Sequence, residues 1–216
     1  MPFVQDHRPV QFGDLVFADV RTEKEVNMLI TRNHPGNLLF VGPYGTGKSV
    51  AAEVIANTLL DDTFVFNGRA TAGTMLTTIP QVNSLGNFIS YPPMGGARTR
   101  VLIINELDAM SSGLQVALHE VMDRMGNLGV VIATANHAEK ITGGLMSRFR
   151  PIHWAEAVPN RWLPRARQIL EAEGVQVDDA ELLVVLERAH GDVRVIMRNL
   201  EDLTDMARAQ AVTESR

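Results

Sequence analysis

Residues 42–49 are the part of this chain that most restricts how it can fold. Their sequence, GPYGTGKS, is a glycine-rich loop that ends in Lys48 and Ser49. A short apolar run of strand type, residues 38–41, precedes the loop, and residues 50–60 follow it with the composition and spacing of a helix. A complete G-x-x-x-x-G-K-S pattern between a strand and a helix predicts a phosphate-binding loop in an α/β fold.

The chemistry of such a loop makes specific demands on its residues. Glycines let backbone N–H groups converge on phosphate oxygens, and the N-terminus of the following helix adds partial positive charge. Lys48 is expected to neutralise the outer phosphates, and the Ser49 hydroxyl to ligate Mg²⁺. We therefore expect one continuous segment to bind the cofactor, made of Gly42, Pro43, Tyr44, Gly45, Thr46, Gly47, Lys48, Ser49 and Val50.

The composition is ordinary for a globular protein and excludes thiol chemistry. The chain has 216 residues, of which 45% are hydrophobic and 21% are charged, and it has no cysteine. Its apolar runs are too short to span a bilayer and its N-terminus lacks a signal-sequence pattern, so we expect no membrane partner. The absence of cysteine fits a reducing compartment, and we expect a cytoplasmic protein. The net charge of −5 argues against a general coating of nucleic acid but allows a local basic patch.

The order of predicted elements divides the chain in two. Strands are predicted at residues 38–41, 64–66, 101–104, 130–134 and 152–154, with helices between them. Strands separated by helices imply a parallel sheet built from right-handed crossovers. After residue 156 the strand signals stop, and helices are predicted at residues 161–173, 178–189 and 192–209. We expect a nucleotide-binding domain, residues 1–155, and a helical domain, residues 156–216.

Two segments have weaker patterns. Residues 1–20 are predicted to be irregular, and the capping-box spacing of Thr22 and Glu25 predicts a helix that opens at Thr22 and extends to about residue 31. Residues 69–90 are predicted to form a helix that Pro80 interrupts, followed by a second helix.

Polar residues follow two of the buried strands. Asn105, Glu106 and Asp108 come after the third predicted strand, and Asn136 comes after the fourth. In the Walker B arrangement beside a phosphate loop, the first side chain orients the magnesium shell and the next is the general base. Asn105 then takes the metal position without a charge, Glu106 takes the base position, and Asn136 is placed to hold the attacking water. A helix cap or a surface charge also explains Asp108, and a turn also explains Asn136.

These segments together resemble the AAA+ ATPases, and among them the small motor subunits of sliding-clamp loaders of the replication factor C and phage types. GPYGTGKS is similar to their Walker A motif, VLIINELD to Walker B and VIATAN to the sensor-1 strand. Residues 144–150, GLMSRFR, resemble the Ser-Arg-Cys motif with Phe149 in place of cysteine. Residues 173–177 and 191–200 resemble the lid domain, so the resemblance covers about residues 8–205.

The resemblance implies a phosphate-loop NTPase sheet flanked by helices, followed by a small all-α lid, with ATP and Mg²⁺ as cofactors. It implies that Glu106, Lys48, Asn136 and Arg148 are catalytic and that Ser49 and Asn105 lie at the metal. Arg148 matches the arginine finger that reaches the ATP of a neighbouring subunit, with Arg150 as a rival. Arg194 matches sensor 2, which contacts the nucleotide of its own subunit. The implied partners are other AAA+ subunits in a homo- or hetero-oligomer, a sliding clamp and primer-template DNA.

Two departures from the family pattern leave other functions open. Asn105 replaces the usual aspartate, which is expected to weaken ATP hydrolysis, and we expect no collar domain of the kind that clamp-loader subunits have after the lid. The alternatives are an AAA+ remodeller, a helicase or recombination loader, and a nucleotide-binding scaffold with little hydrolysis. Candidate contacts with DNA phosphates are Thr74, Thr77, Ser111, Ser112, Arg98 and Arg100, each of which ordinary capping or solvated charge also explains.

Overall fold

The computed structural model describes residues 2–32, 35–60, 68–94 and 99–214. Within these residues, five parallel strands form one sheet in the spatial order β2-β3-β4-β1-β5. The strands are β1, Leu38–Val41; β2, Gly68–Ala72; β3, Arg100–Asn105; β4, Gly129–Ala135; and β5, Arg150–His153. The parallel sheet that the sequence predicts is confirmed.

The central strands are apolar because both of their faces are covered. Successive side chains of a strand point to opposite faces, so Leu38 and Phe40 of β1 enter one hydrophobic cluster and Leu39 enters the other. The helices α2, Val20–Ile30, and α3, Lys48–Leu60, cover the first face. The helices α4, Ile79–Ser90, and α5, Ser112–Met125, cover the second.

Most of the remaining helices form a third cluster. The remaining helices are α1, Pro2–Asp6; α6, Gly143–Met146; α7, Pro159–Ala172; α8, Asp179–Arg188; and α9, Val193–Glu214. All but α6 contribute to a separate hydrophobic core around Trp162, Ile169, Leu186 and Leu200, which also includes Phe3 from α1. The N-terminal helix therefore packs with the C-terminal helices.

The helix predicted from residue 69 needs correction, whereas the strand predicted at residues 64–66 lies outside the described residues. β2, Gly68–Ala72, occupies part of the segment predicted as helix. Gly73–Met75 is one 3₁₀ turn, and Pro80 lies in the first turn of α4 instead of interrupting a helix. Proline is suited to that position because the first helical N–H groups have no intrahelical acceptor.

The prediction for the N-terminal segment was also wrong in two respects. Residues 1–20 include helix α1 and a 3₁₀ turn at Phe12–Asp14. Helix α2 begins at Val20, before Thr22, because Asp19 is its cap: Asp19 Oδ1 accepts a hydrogen bond of 2.8 Å from the Thr22 N–H. A carboxylate at this position satisfies one of the free amides of the first turn.

The parallel arrangement collects the polar loops at one edge of the sheet. The carboxyl ends of β1, β3 and β4 are followed by the phosphate loop, by Glu106 and by Asn136, respectively. Because β1 lies next to β4, and β4 next to β3, these three loops are neighbours. This edge is where ligands bind in open parallel sheets.

Candidate nucleotide-binding site

The loop between β1 and α3 has the backbone conformation of a phosphate-binding loop. Gly45 and Gly47 have φ angles of 78° and 86°, a left-handed region that residues with a Cβ rarely adopt. Between them, the Thr46 hydroxyl donates to the Pro43 carbonyl at 2.9 Å and closes the turn. The loop therefore curls ahead of the N-terminus of α3.

Trp154, which follows β5, holds the loop in place. Its indole Nε1 donates to the Thr46 carbonyl at 3.0 Å, and its backbone N–H donates to the Val41 carbonyl at 2.7 Å. A Cβ on Gly42 would lie 1.9 Å from the Trp154 carbonyl oxygen. Gly42 is thus required by close packing.

Lys48 lies folded against its own loop. Its Nζ donates to the Gly42 carbonyl at 2.9 Å and to the Pro43 carbonyl at 2.5 Å, and only 7% of the residue is exposed. Burial lowers the pKa of Lys48, the charge of Asp108 opposes that effect, and the charge of Arg194 adds to it. The side chain is therefore a pre-positioned, partly desolvated cation.

The end of β3 is joined to β4 through Thr134. The Thr134 hydroxyl accepts from the Glu106 N–H at 3.1 Å and donates to Asn105 Oδ1 at 3.2 Å. Glu106 itself has a φ of 55°, a left-handed conformation that costs a non-glycine residue about 1–3 kcal/mol and is concentrated at functional sites. No role was predicted for Thr134, because a threonine near the end of a buried strand is common.

Asp108 holds the loop that carries Asn136. Its Oδ2 accepts from the N–H groups of Asn136 and His137 at 3.1 and 2.9 Å. The carboxylate is therefore neither a helix cap nor a solvated surface charge, the two alternatives that the sequence allowed.

These loops and the C-terminal helices enclose a cavity of about 450 Å³. Of the residues predicted to act there, the cavity is lined by Tyr44, Gly45, Gly47, Lys48, Ser49, Val50, Glu106, Asn136 and Arg194. The sequence did not predict five other lining residues, namely Val4, Thr134, Val193, Met197 and Arg198. Pro43 and Thr46 contribute to the loop without lining the cavity. Asn105 does not line it either, but it accepts a hydrogen bond from Thr134, which does.

A smaller apolar cavity of about 100 Å³ continues from the first. The two share Val4, Gly47, Val50, Val193 and Met197, and the smaller one extends to Trp154 and Trp162. The sequence did not predict this cavity, because its walls come from four separate parts of the chain.

The N-terminus of α9 contacts the phosphate loop directly. The Val193 N–H donates to the Gly45 carbonyl at 2.8 Å. Asp192 caps α9 by accepting from the Arg194 N–H at 2.8 Å, and its carboxylate also lies against Gly45. Arg194 is exposed and faces the cavity as a result of this contact.

Arg148 and Arg150 do not line the cavity of their own chain. Arg148 makes a two-point ion pair with Asp123, with Nε and Nη2 at 2.6 and 2.7 Å from its two carboxylate oxygens. This pairing raises the pKa of Arg148 and holds the pKa of Asp123 below its usual range. Arg150 pairs with Glu25 at 2.8 Å.

Arg100 is not available as a contact for DNA. It is 7% exposed, its guanidinium donates to the carbonyls of Tyr91 and Pro92, and it lies 4.9 Å from the centre of the Phe88 ring. Arg98 lies outside the described residues. The other predicted contacts, Thr74, Thr77, Ser111 and Ser112, are exposed and remain predictions.

Comparison with known proteins places this geometry in a family. The family model described as the ATPase family associated with various cellular activities (AAA) matches residues 38–156, more than half of the chain. The chain belongs to the AAA family. The matched residues run from β1, before the phosphate loop, to just beyond Trp154.

Curated AAA relatives are similar along almost the whole chain. The replication factor C small subunit of Thermofilum pendens is 27% identical over 212 residues, covering 95% of this chain and 63% of that protein. Replication factor C small subunit 2 of Pyrobaculum aerophilum is 28% identical, covering 97% of this chain and 65% of that protein. The chain thus spans about three fifths to two thirds of the length of these relatives.

Solved structures confirm the AAA fold. A point mutant of Thermotoga maritima RuvB has a TM-score of 0.80 at 16% identity, covering 96% of this chain and 68% of that one. The T. maritima RuvB Holliday junction branch migration motor has a TM-score of 0.78 at 17% identity, covering 95% of this chain and 67% of that one. At this identity the likeness concerns the fold alone.

Two further observations concern membranes and metals. Among the described residues, no helix is long and apolar enough to cross a bilayer. The same residues contain no cluster of three or more histidines and carboxylates that could hold a metal. Magnesium at nucleotide sites is usually held by one or two side chains together with phosphates and water, so a cage of this kind is not required.

Proposed function

We propose that this AAA protein binds and hydrolyses ATP with Mg²⁺, and that it acts in DNA replication as a clamp-loader subunit. The observation that carries the nucleotide-binding part of the proposal is a cavity lined by both the phosphate loop and Arg194. Residues 1–155 would form the nucleotide-binding domain and residues 156–216 the lid.

The cavity offers the groups that a nucleoside triphosphate needs. The glycines at positions 45 and 47 and the N-terminus of α3 present backbone N–H groups to phosphate, while Lys48 and Arg194 supply positive charge. The adjoining apolar cavity, with Val50 and Met197 on its walls, suits a planar base. Phosphates and base would then occupy the two connected cavities.

The residues present fit a magnesium ion that is bound together with ATP. Ser49 is exposed and lines the cavity, and the Asn105 side-chain oxygen is held by the hydroxyl of Thr134, another lining residue. When bound, Mg²⁺ neutralises charge on the phosphates and orients them for transfer. Since Asn105 carries no charge, this chain would hold the ion more weakly than a chain with aspartate there.

Two residues of the cavity suit the hydrolytic step. Glu106 is exposed at the cavity wall, where its carboxylate can accept a proton from water. Asn136 lines the same wall and can hold that water in place. The left-handed turn at Glu106 sets where this carboxylate leaves β3.

Arg148 would complete the site of a neighbouring subunit. It does not line its own cavity, and it is held by Gly144 of α6 and Asp123 of α5. In other phosphate-loop enzymes, an arginine finger supplied by a neighbouring protein raises the rate of hydrolysis about 10³–10⁵-fold. Arg148 would have to share or leave Asp123 to act in this way.

The clamp-loader role rests on the curated relatives, which are named as replication factor C small subunits. By this proposal, other AAA+ subunits, a sliding clamp and primer-template DNA are the partners. One alternative, a nucleotide-binding scaffold with little hydrolysis, is favoured by a specific observation, the neutral Asn105.

ATP turnover by the purified chain tests this function. Turnover should rise when primed DNA and a sliding clamp are added, and Glu106→Gln should bind ATP with little hydrolysis, since a general base contributes about 10²–10⁴-fold. ATP binding without turnover under all these conditions would favour the scaffold. Stimulation by an unfolded protein instead of DNA would favour a remodeller.

A further inference from the structure

We propose that Asp108 is a positioning residue, which holds the loop after β4 so that Asn136 faces the nucleotide. This role rests on the proposed ATPase function and adds to it a residue whose part the motif spacing does not assign. Asp108 would act through Asn136 and would not itself touch the substrate.

The turn after β3 is built to send Asp108 towards β4. Glu106 adopts the left-handed conformation, and Leu107–Ala109 follows as a 3₁₀ turn closed by the Ala109 N–H on the Glu106 carbonyl at 2.9 Å. Leu107 is fully buried and anchors the turn in the core. The strained residue therefore directs two side chains at once, Glu106 to the cavity and Asp108 to the neighbouring loop.

The contact with that loop uses backbone groups that the sheet leaves unused. β4 ends at Ala135, where its pairing with β1 also ends. The next two amides, of Asn136 and His137, donate to Asp108 Oδ2 at 3.1 and 2.9 Å. Two amides on one charged oxygen fix the direction in which the Asn136 side chain leaves the strand.

The second oxygen of the Asp108 carboxylate also favours a functional role over a purely structural one. This atom, Oδ1, is buried and has no hydrogen-bond partner among the residues that the structure describes. Buried polar atoms without a partner are uncommon and need an explanation. Asp108 also stabilises the charge on Lys48, so one carboxylate connects the phosphate loop and the Asn136 loop.

Two substitutions separate the contact from the charge. Asp108→Asn keeps an oxygen that can accept from both amides but loses the charge, whereas Asp108→Ala loses both. We expect turnover to fall in the order wild type, Asp108→Asn, Asp108→Ala. For Asp108→Ala the loss should be on the order of 10- to 100-fold, the range found for residues that orient metal ligands and so act through another side chain in the same way.

Three measurements on the full chain decide whether Asp108 acts in this way. The affinity for ATP should change much less than turnover in both variants. Without nucleotide, the amide protons of Asn136 and His137 should exchange faster in Asp108→Ala and near the wild-type rate in Asp108→Asn. In an Asn136→Ala background, Asp108→Ala should cause little further loss of turnover, because the two residues act as a unit.

The control is Asp205→Ala, which removes an exposed carboxylate from α9 and should change none of these quantities. Wild-type turnover in Asp108→Ala, or a full additional loss in the Asn136→Ala background, would overturn the proposal. Unchanged amide exchange at Asn136 and His137 in Asp108→Ala would also overturn it. The exchange measurement needs no ATP hydrolysis, so it separates failure of this inference from failure of the ATPase function. If Asp108→Ala does not fold, the turnover and exchange of Asp108→Asn still test the role.

Discussion

Gly45→Ala tests the contact between the phosphate loop and the C-terminal helices. Gly45 has a φ of 78°, and a Cβ there would lie 2.5 Å from Cγ and Oδ2 of Asp192. Gly47→Ala is a matched control, because Gly47 has a φ of 86° but a Cβ there would lie 3.7 Å from the nearest atom, on Val193. Both substitutions strain the backbone, and only the first also creates a clash with the side chain of Asp192, which caps α9.

The structure sets the expected size of the two effects. A left-handed conformation costs an alanine about 1–2 kcal/mol, and this cost applies to both variants. To clear the new methyl group, Asp192 must give up its hydrogen bonds to the N–H groups of Arg194 and Val195. Loss of a helix cap costs about 1 kcal/mol more. We therefore expect a destabilisation of about 2–3 kcal/mol for Gly45→Ala and of about 1–2 kcal/mol for Gly47→Ala.

A double-mutant cycle with Asp192→Ala isolates the contact. In the Asp192→Ala background the cap is already lost and the clash is relieved, so Gly45→Ala should cost only the strain, about 1 kcal/mol less than before. Gly47→Ala should cost the same in both backgrounds. Urea denaturation followed by tryptophan fluorescence gives the free energies of unfolding. Equal costs of Gly45→Ala in the two backgrounds would refute the contact.

Three further predictions follow from other contacts. Although burial raises the pKa of Asp14, the N–H groups of Val10 and Gln11 and the Arg165 guanidinium hold it below the ordinary value of 3.8. The stability that Asp14 contributes is therefore fully present above pH 3.8 and is lost as the pH falls through the lower pKa of the folded state. In urea denaturation, the destabilisation caused by Asp14→Asn should shrink below pH 3.8. Arg148→Ala and Lys48→Ala subunits should each be inactive alone. A mixture should regain turnover, because an intact Lys48 of one subunit then meets an intact Arg148 of its neighbour. No recovery would exclude Arg148 as an arginine finger in trans. Asn105→Asp should lower the Mg²⁺ concentration needed for ATP binding and raise turnover, and a magnesium titration with no change would show that position 105 is not at the metal.

Much of the fold could be predicted because the central strands have a clear hydrophobic pattern in the sequence. β1, β3 and β4 are buried on both faces and therefore are continuous apolar runs. β2 could not be found in this way. Its sequence, GRATA, lies at the edge of the sheet, is partly exposed and has neither an apolar run nor alternation. Pairing with β3 makes it a strand, and that pairing is a tertiary effect.

The candidate site also contains some residues that the sequence could place and others that it could not. Lys48, Ser49 and Glu106 belong to motifs whose spacing follows from local geometry, so the sequence could place them together. Asp108 depends on the left-handed turn at Glu106, which sequence patterns do not reveal because non-glycine residues rarely adopt it. The walls supplied by α1 and α9 come from the two ends of the chain and are known only once it is folded.

Equilibrium binding of ATP is the measurement that tests the central claim most directly. A fluorescent ATP analogue is titrated with Mg²⁺ into the wild-type chain and into Lys48→Ala and Arg194→Ala, each of which removes one positive charge from the cavity lining. We expect saturable binding at one site in the wild type and roughly 10- to 150-fold weaker binding in each variant, equivalent to the loss of one charged hydrogen bond of about 1.5–3 kcal/mol. Wild-type affinity in correctly folded Lys48→Ala and Arg194→Ala would contradict the assignment of this cavity as the nucleotide site.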